Sequence, residues 1–472
     1  MVEMGRLLCN FLGLTHGFQR IICNFALNDE QSYEFLPTRK IFLKEMIERL
    51  IDRLNSSPVN FLAVRRLETE LQAAGFVCLD AAELLKLPSD GKFYVKKNDS
   101  SLYAFRLGTA SLADAGFHVI CSHCDSPTFR IKPNAEMTAE GGIVKLNTEV
   151  YGGPILSTWF DRPLSVAGRV VLRGADAMHP VCRLLHVKRP LLQISSLAIH
   201  FNRQVNDGVK LSKQKDTLPL LGILNDELER GNLLQQIICT ELSVSPEQIL
   251  DFDLYLYDAT PACTFGAHGE FLSSGRQDDL TMAFASLEAI LTCRENSRTQ
   301  VMAVFDNEET GSQTKQGAGS PFFSSLLRRI ILAQGGDEAA FWQCVERSFM
   351  VSADNAHAFH PNYGEKYDPT NHPQLGGGPV IKFNASQKYV SDAVSAAVFA
   401  EICRESGVPC QRFVNHSDVA GGSTLGNILS ASLPLRGVDM GAPILAMHSA
   451  RETGAVRDYE YCVRAFAHFY ES

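Results

Sequence analysis

The run Val301-Met302-Ala303-Val304-Phe305 is apolar throughout and stops abruptly at Asp306-Asn307-Glu308-Glu309-Thr310-Gly311. A short apolar run of this kind predicts a buried strand. Polar chemistry placed at the carboxyl end of a buried strand is the habit of α/β enzymes. Neighbouring residues in a strand point to opposite sides, so a loop must turn both glutamates into one site. One glutamate could then bind a metal while the other handles a proton. A lone Glu-Glu pair is more often a solvated acidic turn, so the rest of the chain has to decide.

At 472 residues the chain is long enough for two or more domains. A hydrophobic content of 45% with 21% charged residues is ordinary for a globular protein. No apolar run approaches the ~18 residues of a membrane span. A net charge of -9 with no basic patch argues against a nucleic-acid binder. The cysteines are scattered, many inside apolar runs (Cys78, Cys239, Cys344, Cys462), as expected of reduced core thiols in a cytosolic protein. Cys121 and Cys124 form a C-x-x-C without a second pair at zinc-ribbon spacing, and are expected to pack a strand. Residues 1–45 fit neither a secretory signal nor the regular pattern that starts at Met46. They read either as an appended segment or as an amphipathic propeptide, and are expected to be dispensable.

Helices are expected from Ile47 to Leu54 and from Phe61 to Ala74, the latter closed by Gly75. Lys92–Lys97 and Leu102–Leu107 predict a hairpin across Asn98-Asp99, and Phe117–Cys121 a buried strand leading to His123. From 128 to 266 short β-rich runs with glycines dominate, among them Leu164–Leu172, with helical patterns at Leu220–Leu234 and Pro246–Leu250. After that the α/β alternation returns. Helices are expected near Leu280–Cys293, Phe322–Leu332, Lys388–Glu405 and Asp458–Phe469, and strands at Phe349–Ser352, Gln411–Val414 and Ile444–Met447. The chain therefore divides into an extension (1–45), an α/β domain in two parts (46–127 and 267–472) and an inserted β-rich domain (128–266). The fold class is α/β, a three-layer α/β/α core over a largely parallel sheet.

Five islands offer imidazole or carboxylate at the ends of such runs: His123-Cys124-Asp125, Arg276-Gln277-Asp278-Asp279, Glu308-Glu309, Asp354-Asn355-Ala356-His357 and Met447-His448-Ser449. Any one alone is ordinary. Together they suit zinc, cobalt or manganese rather than calcium. With Thr158-Trp159-Phe160-Asp161-Arg162, Leu197-Ala198-Ile199-His200, His360-Pro361-Asn362-Tyr363 and Gly422-Ser423-Thr424, the set resembles the aspartyl aminopeptidase family of dizinc aminopeptidases. The resemblance runs from about Met46 to the C-terminus.

The resemblance implies two divalent ions per chain, zinc first, with manganese or cobalt as alternatives. His123 and Asp354 would hold one, Glu309 and His448 the other, with Asp278 bridging. Glu308 would be the general base acting on a metal-bridging water, and Asp125 would orient the histidine ligand. His200 would reach the active site of a partner subunit, making the insert the dimerisation domain of a tetrahedral homododecamer. Lys382, His357 and Tyr389 would line a pocket favouring N-terminal Asp or Glu of peptide substrates. Two departures stand out: Asp279 where the family often has Asn, and Thr310 where valine is common. The nearer rival is a related dimetal aminopeptidase or deacylase of broader or neutral specificity. The more distant one is a silent assembly or cargo protein that uses residues 1–45 as a contact tail.

Overall fold

The computed structural model describes residues 36–83, 86–88, 91–224 and 232–472. Glu48–Ser472 forms one compact unit, and the described residues before it belong to a separate one. The expectations for residues 1–35 lie outside the described residues.

A nine-stranded mixed sheet carries the larger unit. Its order is Val77–Cys78, Lys92–Lys97, Ser101–Arg106, Thr299–Phe305, Phe117–His123, Phe349–Ala353, Arg436–Gly441, Val380–Lys382, Gln411–Phe413. The four strands from Thr299–Phe305 to Arg436–Gly441 run parallel. Parallel strands are covered on both faces, which is why these are apolar at nearly every position. Alternation sorts their side chains. Phe117, Val119 and Cys121 join a core made with Phe323, Leu327 and Ile330 of helix Phe322–Ala333 and Leu425 and Leu429 of helix Leu425–Ser432. On the other face lie helices Gln277–Thr292 and Val456–Glu471, where the ring of His118 stacks on Phe469. The architecture is α/β/α. The hairpin is as expected, with Asn98 and Asp99 both at positive φ in its turn.

Between the strands Phe117–His123 and Thr299–Phe305 the chain builds a separate six-stranded antiparallel sheet. Its order is Val181–His186, Leu164–Leu172, Ile249–Asp258, Thr128–Thr138, Ile143–Tyr151, Leu220–Ile223. Leu234, Ile238 and Leu242 of helix Leu233–Leu242 close its core. A five-stranded sheet follows the order Cys263–Phe265, Phe271–Ser274, Glu452–Ala455, Pro443–Leu445, Ala356–His357.

Several local expectations are corrected. Leu220–Leu234 is not one helix: Leu220–Ile223 pairs as an edge strand and the helix begins at Leu233. Dense apolar residues look alike in both states until a partner strand is present. Pro246–Gln248 is a single 3-10 turn, closed by a Ser245/Gln248 capping box, that launches the strand Ile249–Asp258. The helix expected from Lys388 starts at Ala393 instead, because Asp392 caps it by accepting the Ser395 N–H. Helices Glu338–Arg347 and Leu425–Ser432 and strand Arg436–Gly441 were not anticipated. Cys78 is exposed and Cys239 half-buried, against the expectation of core thiols, while Cys121, Cys124, Cys344 and Cys462 are buried. Among the described residues no helix is long and apolar enough to cross a membrane.

His118 gives the fold a pH dependence. It is 5% exposed and its Nδ1 lies 2.8 Å from the Phe469 carbonyl. Burial, with Arg298 nearby, pushes its pKa down to about 4. The unfolded chain therefore takes up this proton near pH 6.5, while the folded chain resists until about pH 4. The stability from the neutral imidazole is full above pH 6.5 and falls as the pH drops through that window. His118→Gln should remove about 3 kcal/mol of the stability loss between pH 7 and 4. Denaturant unfolding of both proteins at the two pH values measures it, and equal losses would refute the assignment.

Candidate metal centre

The strand Thr299–Phe305 ends in a tight reversal. Asn307 adopts the left-handed conformation at φ 61°, and Glu308–Thr310 forms one 3-10 turn. Successive side chains in such a turn diverge by about 120° rather than the near-opposition of a strand. That lets both glutamates serve one side. Asp125 holds the turn: its Oδ1 accepts the Glu308 N–H and its Oδ2 the Glu309 N–H, each at 3.1 Å. The Tyr151 hydroxyl donates to the same carboxylate at 2.7 Å and accepts from Asn307 Nδ2 at 2.8 Å.

Two histidines and four carboxylates converge beside this turn. Asp278 lies between the imidazoles, with Oδ1 3.5 Å from His123 Nε2 and Oδ2 3.3 Å from His448 Nε2. Glu309 Oε2 is 3.4 Å from His448 Nε2. His123, Asp278 and Glu309 offer ligand atoms within 4.8 Å of one another, as do Asp278, Asp279 and Asp354. The histidine tautomers follow from their other nitrogens. His123 Nδ1 is 3.0 Å from the Asp125 carbonyl and His448 Nδ1 3.1 Å from the Gly153 carbonyl. Each Nδ1 is thereby the donor, leaving each Nε2 lone pair aimed at Asp278. Asp125 meets His123 more closely through its carbonyl than through its carboxylate, which is 3.4 Å away.

The charge balance of the centre is lopsided. Burial first, then Asp354, Asp125 and Asp278, pushes the Glu308 carboxyl up to about 8. Burial and Asp278 push Glu309 up, and burial pushes Asp354 up despite Lys382. Burial also opposes the charge on Asp278, but His123 and His448, when protonated in the absence of a cation, outweigh it and hold that carboxyl low. Asp278 Oδ1 and Glu309 Oε1 are buried without a hydrogen-bond partner among the described residues. Orphaned carboxylate oxygens beside imidazole lone pairs are acceptors in want of cations, and this donor set fits zinc.

Other expected residues divide. Lys382 is buried, its Nζ 3.3 Å from Asp354 Oδ1 and 3.0 Å from the Asn355 carbonyl. It lies 5.6 Å from the ring centroid of Tyr389. Burial works against the Lys382 charge, but Asp354 more than offsets it. His357 is exposed and meets Phe413 edge-on. His200 is not brought to this cluster. It sits exposed in the short turn Ile199–Phe201 and makes no hydrogen bond or ion pair among the described residues.

Sequence reasoning passed over three contributors. Tyr151 braces Asp125 from the six-stranded sheet. Gly152 and Gly153 follow it, and a Cβ on Gly152 would come within 3.1 Å of the Glu309 Cβ. The Tyr-Gly-Gly-Pro run at 151–154 was the available signal. Asp279, noted only as a departure from the family, accepts the His123 N–H at 3.1 Å and the Asn355 N–H at 3.3 Å. It ties together the ends of two parallel strands. Glu452, the third, accepts backbone N–H groups in the same manner.

With this geometry in view, the relationships of the chain are specific. Residues 53–470 match the model of the aminopeptidase I zinc metalloproteases, M18. A relative from Clostridium acetobutylicum, described as "Probable M18 family aminopeptidase 2", is 51% identical over 426 residues, which is 90% of this chain and 98% of the relative. The cryo-EM structure of the Ape4 and Nbr1 complex contains a chain with a TM-score of 0.87 at 36% identity, covering 91% of this chain and 86% of that one. The crystal structure of prApe1 gives a TM-score of 0.86 at 25% identity, over 91% and 95% of the two chains.

Proposed function

The chain belongs to the M18 family of zinc metalloproteases and is a metal-dependent aminopeptidase; we propose that it removes acidic N-terminal residues from peptides, using two metal ions and Glu308 as general base. The observation that carries the reading is Asp278, whose two oxygens each face a different histidine Nε2. His123 and Asp354 would hold one ion, Glu309 and His448 the other, with Asp278 shared. When bound, the ions supply Lewis acidity, acidifying water and drawing charge from the scissile carbonyl. The rest is done by the chain. Glu308 stands beside the ligands with its backbone pinned by Asp125. Its carboxylate accepts a proton from the attacking water and returns it to the leaving amine.

Acidic specificity rests on Lys382. Two of its three donors are committed to Asn355 and Asp354, and a substrate carboxylate would take the third, beside Tyr389 and His357. We assign residues 128–266 to self-association, with the dodecamer of the family as the assembly. Around His200, Leu197 is 64%, Ile199 51% and Phe201 80% exposed. Apolar exposure of this kind is what a partner surface covers, and it would let His200 serve the site of a neighbouring subunit. The reducing cytosol suits its free thiols.

Glu308→Gln should retain both metals and the fold while losing ~100-fold or more in kcat. Glu309→Gln should instead lose metal content, read by elemental analysis of purified protein. A fully active Glu308 variant would remove it from the general-base role.

Wild type should cleave Asp and Glu chromogenic substrates faster than Leu or Ala ones. Lys382→Met should cut kcat/KM for acidic substrates at least ~10-fold more than for neutral ones, because a pair that has lost one partner strands a charge. Some loss with both is expected, since Lys382 also holds Asp354. Faster cleavage of Leu or Met substrates by wild type would favour the broader specificity.

His200→Ala and Glu308→Gln chains, each inactive, should regain part of the activity when allowed to exchange subunits. Full activity from a verified monomer would exclude the role in trans.

A further inference from the structure

Glu452 is 1% exposed and opens the strand Glu452–Ala455. Sheet register sets it opposite Ser274, so it lies beside the chain that continues through Gly275 and Arg276 to Asp278. Its carbonyl accepts from Gln277 Nε2 at 2.8 Å. Its carboxylate does something less ordinary. Oε2 accepts the Asp278 N–H at 3.2 Å and Oε1 the His448 N–H at 2.8 Å. Those two residues are far apart in sequence, and their side chains meet 3.3 Å apart at the centre. His448 adopts a left-handed backbone at φ 69° and Ala446 one at φ 55°. Residues other than glycine hold such conformations only where their surroundings fix them, and the Glu452 carboxylate grips the N–H of that turn.

Two N–H donors facing one side chain require two acceptor oxygens. A carboxyl group supplies both. A glutamine would turn an NH2 toward one of the donors, and an aspartate, a methylene shorter, would reach fewer of them. Gln277, Arg451 and Ser449 surround Glu452 but hold other groups. Gln277 Nε2 bonds the carbonyls of Leu272, Ser274 and Glu452, Arg451 spans Ser273, Thr260 and Pro261, and Ser449 Oγ accepts the Arg451 N–H.

We propose that Glu452 is a positioning residue for the divalent cation held by Asp278, Glu309 and His448, fixing the two ligand backbones at the separation that this ion needs. The proposal rests on the two-ion reading of the centre. Glu452 touches neither ion nor substrate; it acts by where it holds Asp278 and His448. Its loss therefore weakens the Glu309/His448 ion, two of whose ligands it places, more than the His123/Asp354 ion, which shares only Asp278.

Zinc titration of chelator-stripped protein by calorimetry tests this. Wild type should show two binding events. Glu452→Gln should weaken one event ~10- to 100-fold, the usual cost of removing a group that orients a ligand, and the other distinctly less. The stripped variant should assemble and melt like stripped wild type, and its kcat should recover as free zinc is raised. A merely structural lesion would lower the melting temperature without zinc and would not be rescued by it. If Glu452→Gln does not fold, Glu452→Asp takes the same measurement with the same expected weakening. Two wild-type affinities in a folded variant would overturn the proposal. Wild type that takes up fewer than two zinc ions would overturn the two-ion reading itself, and the proposal with it.

Discussion

Burying negative charge is the constraint on which this molecule depends. Asp125, Asp278, Asp279, Asp354 and Glu452 are all buried around one point, with Glu308 and Glu309 beside them. An ionised carboxylate out of water costs several kcal/mol unless something answers it. The chain answers in two ways. Asp125, Asp279 and Glu452 are met by backbone N–H donors. Asp278 and Glu309 keep oxygens that no donor among the described residues reaches. The first group is held by the chain itself, and the second offers oxygens that could hold a cation.

The scaffold carboxylates each join segments distant in sequence. Asp125 ties the glutamate turn to the end of the strand carrying His123. Asp279 ties that strand end to Asn355, on the neighbouring parallel strand. Parallel strands lie about 4.8 Å apart, so side chains from adjacent carboxyl ends can share one ion. The positions of these side chains are thus a property of the sheet, fixed by backbone hydrogen bonds within the chain.

The six-stranded sheet reaches into the same centre. Tyr151 donates to Asp125, and the Gly153 carbonyl sets the His448 tautomer. The apolar loop around His200 projects from the same 128–266 region. A region whose exposed loop is suited to a partner therefore also holds two side chains of the site.

Three of the four parallel strands, Phe117–His123, Thr299–Phe305 and Phe349–Ala353, were legible in the sequence, and Arg436–Gly441 was not. The islands that carry His123, Asp278, Glu309, Asp354 and His448 were legible because apolar runs that stop at imidazole or carboxylate are a local pattern, while the choice of these residues within them came from the family resemblance. The hairpin at Asn98-Asp99 was legible for the same reason, since its turn chemistry is local. What only the tertiary structure decided were facts of register and approach. Leu220–Ile223 became a strand because an edge was available to it. His357 was left at the surface. Lys382 was spent partly on Asp354. Glu452 and Asp279 acquired their roles from N–H groups brought to them by strands distant in sequence. A side chain announces its chemistry in the sequence, but the direction of a backbone N–H is set by long-range pairing, and no local pattern encodes it.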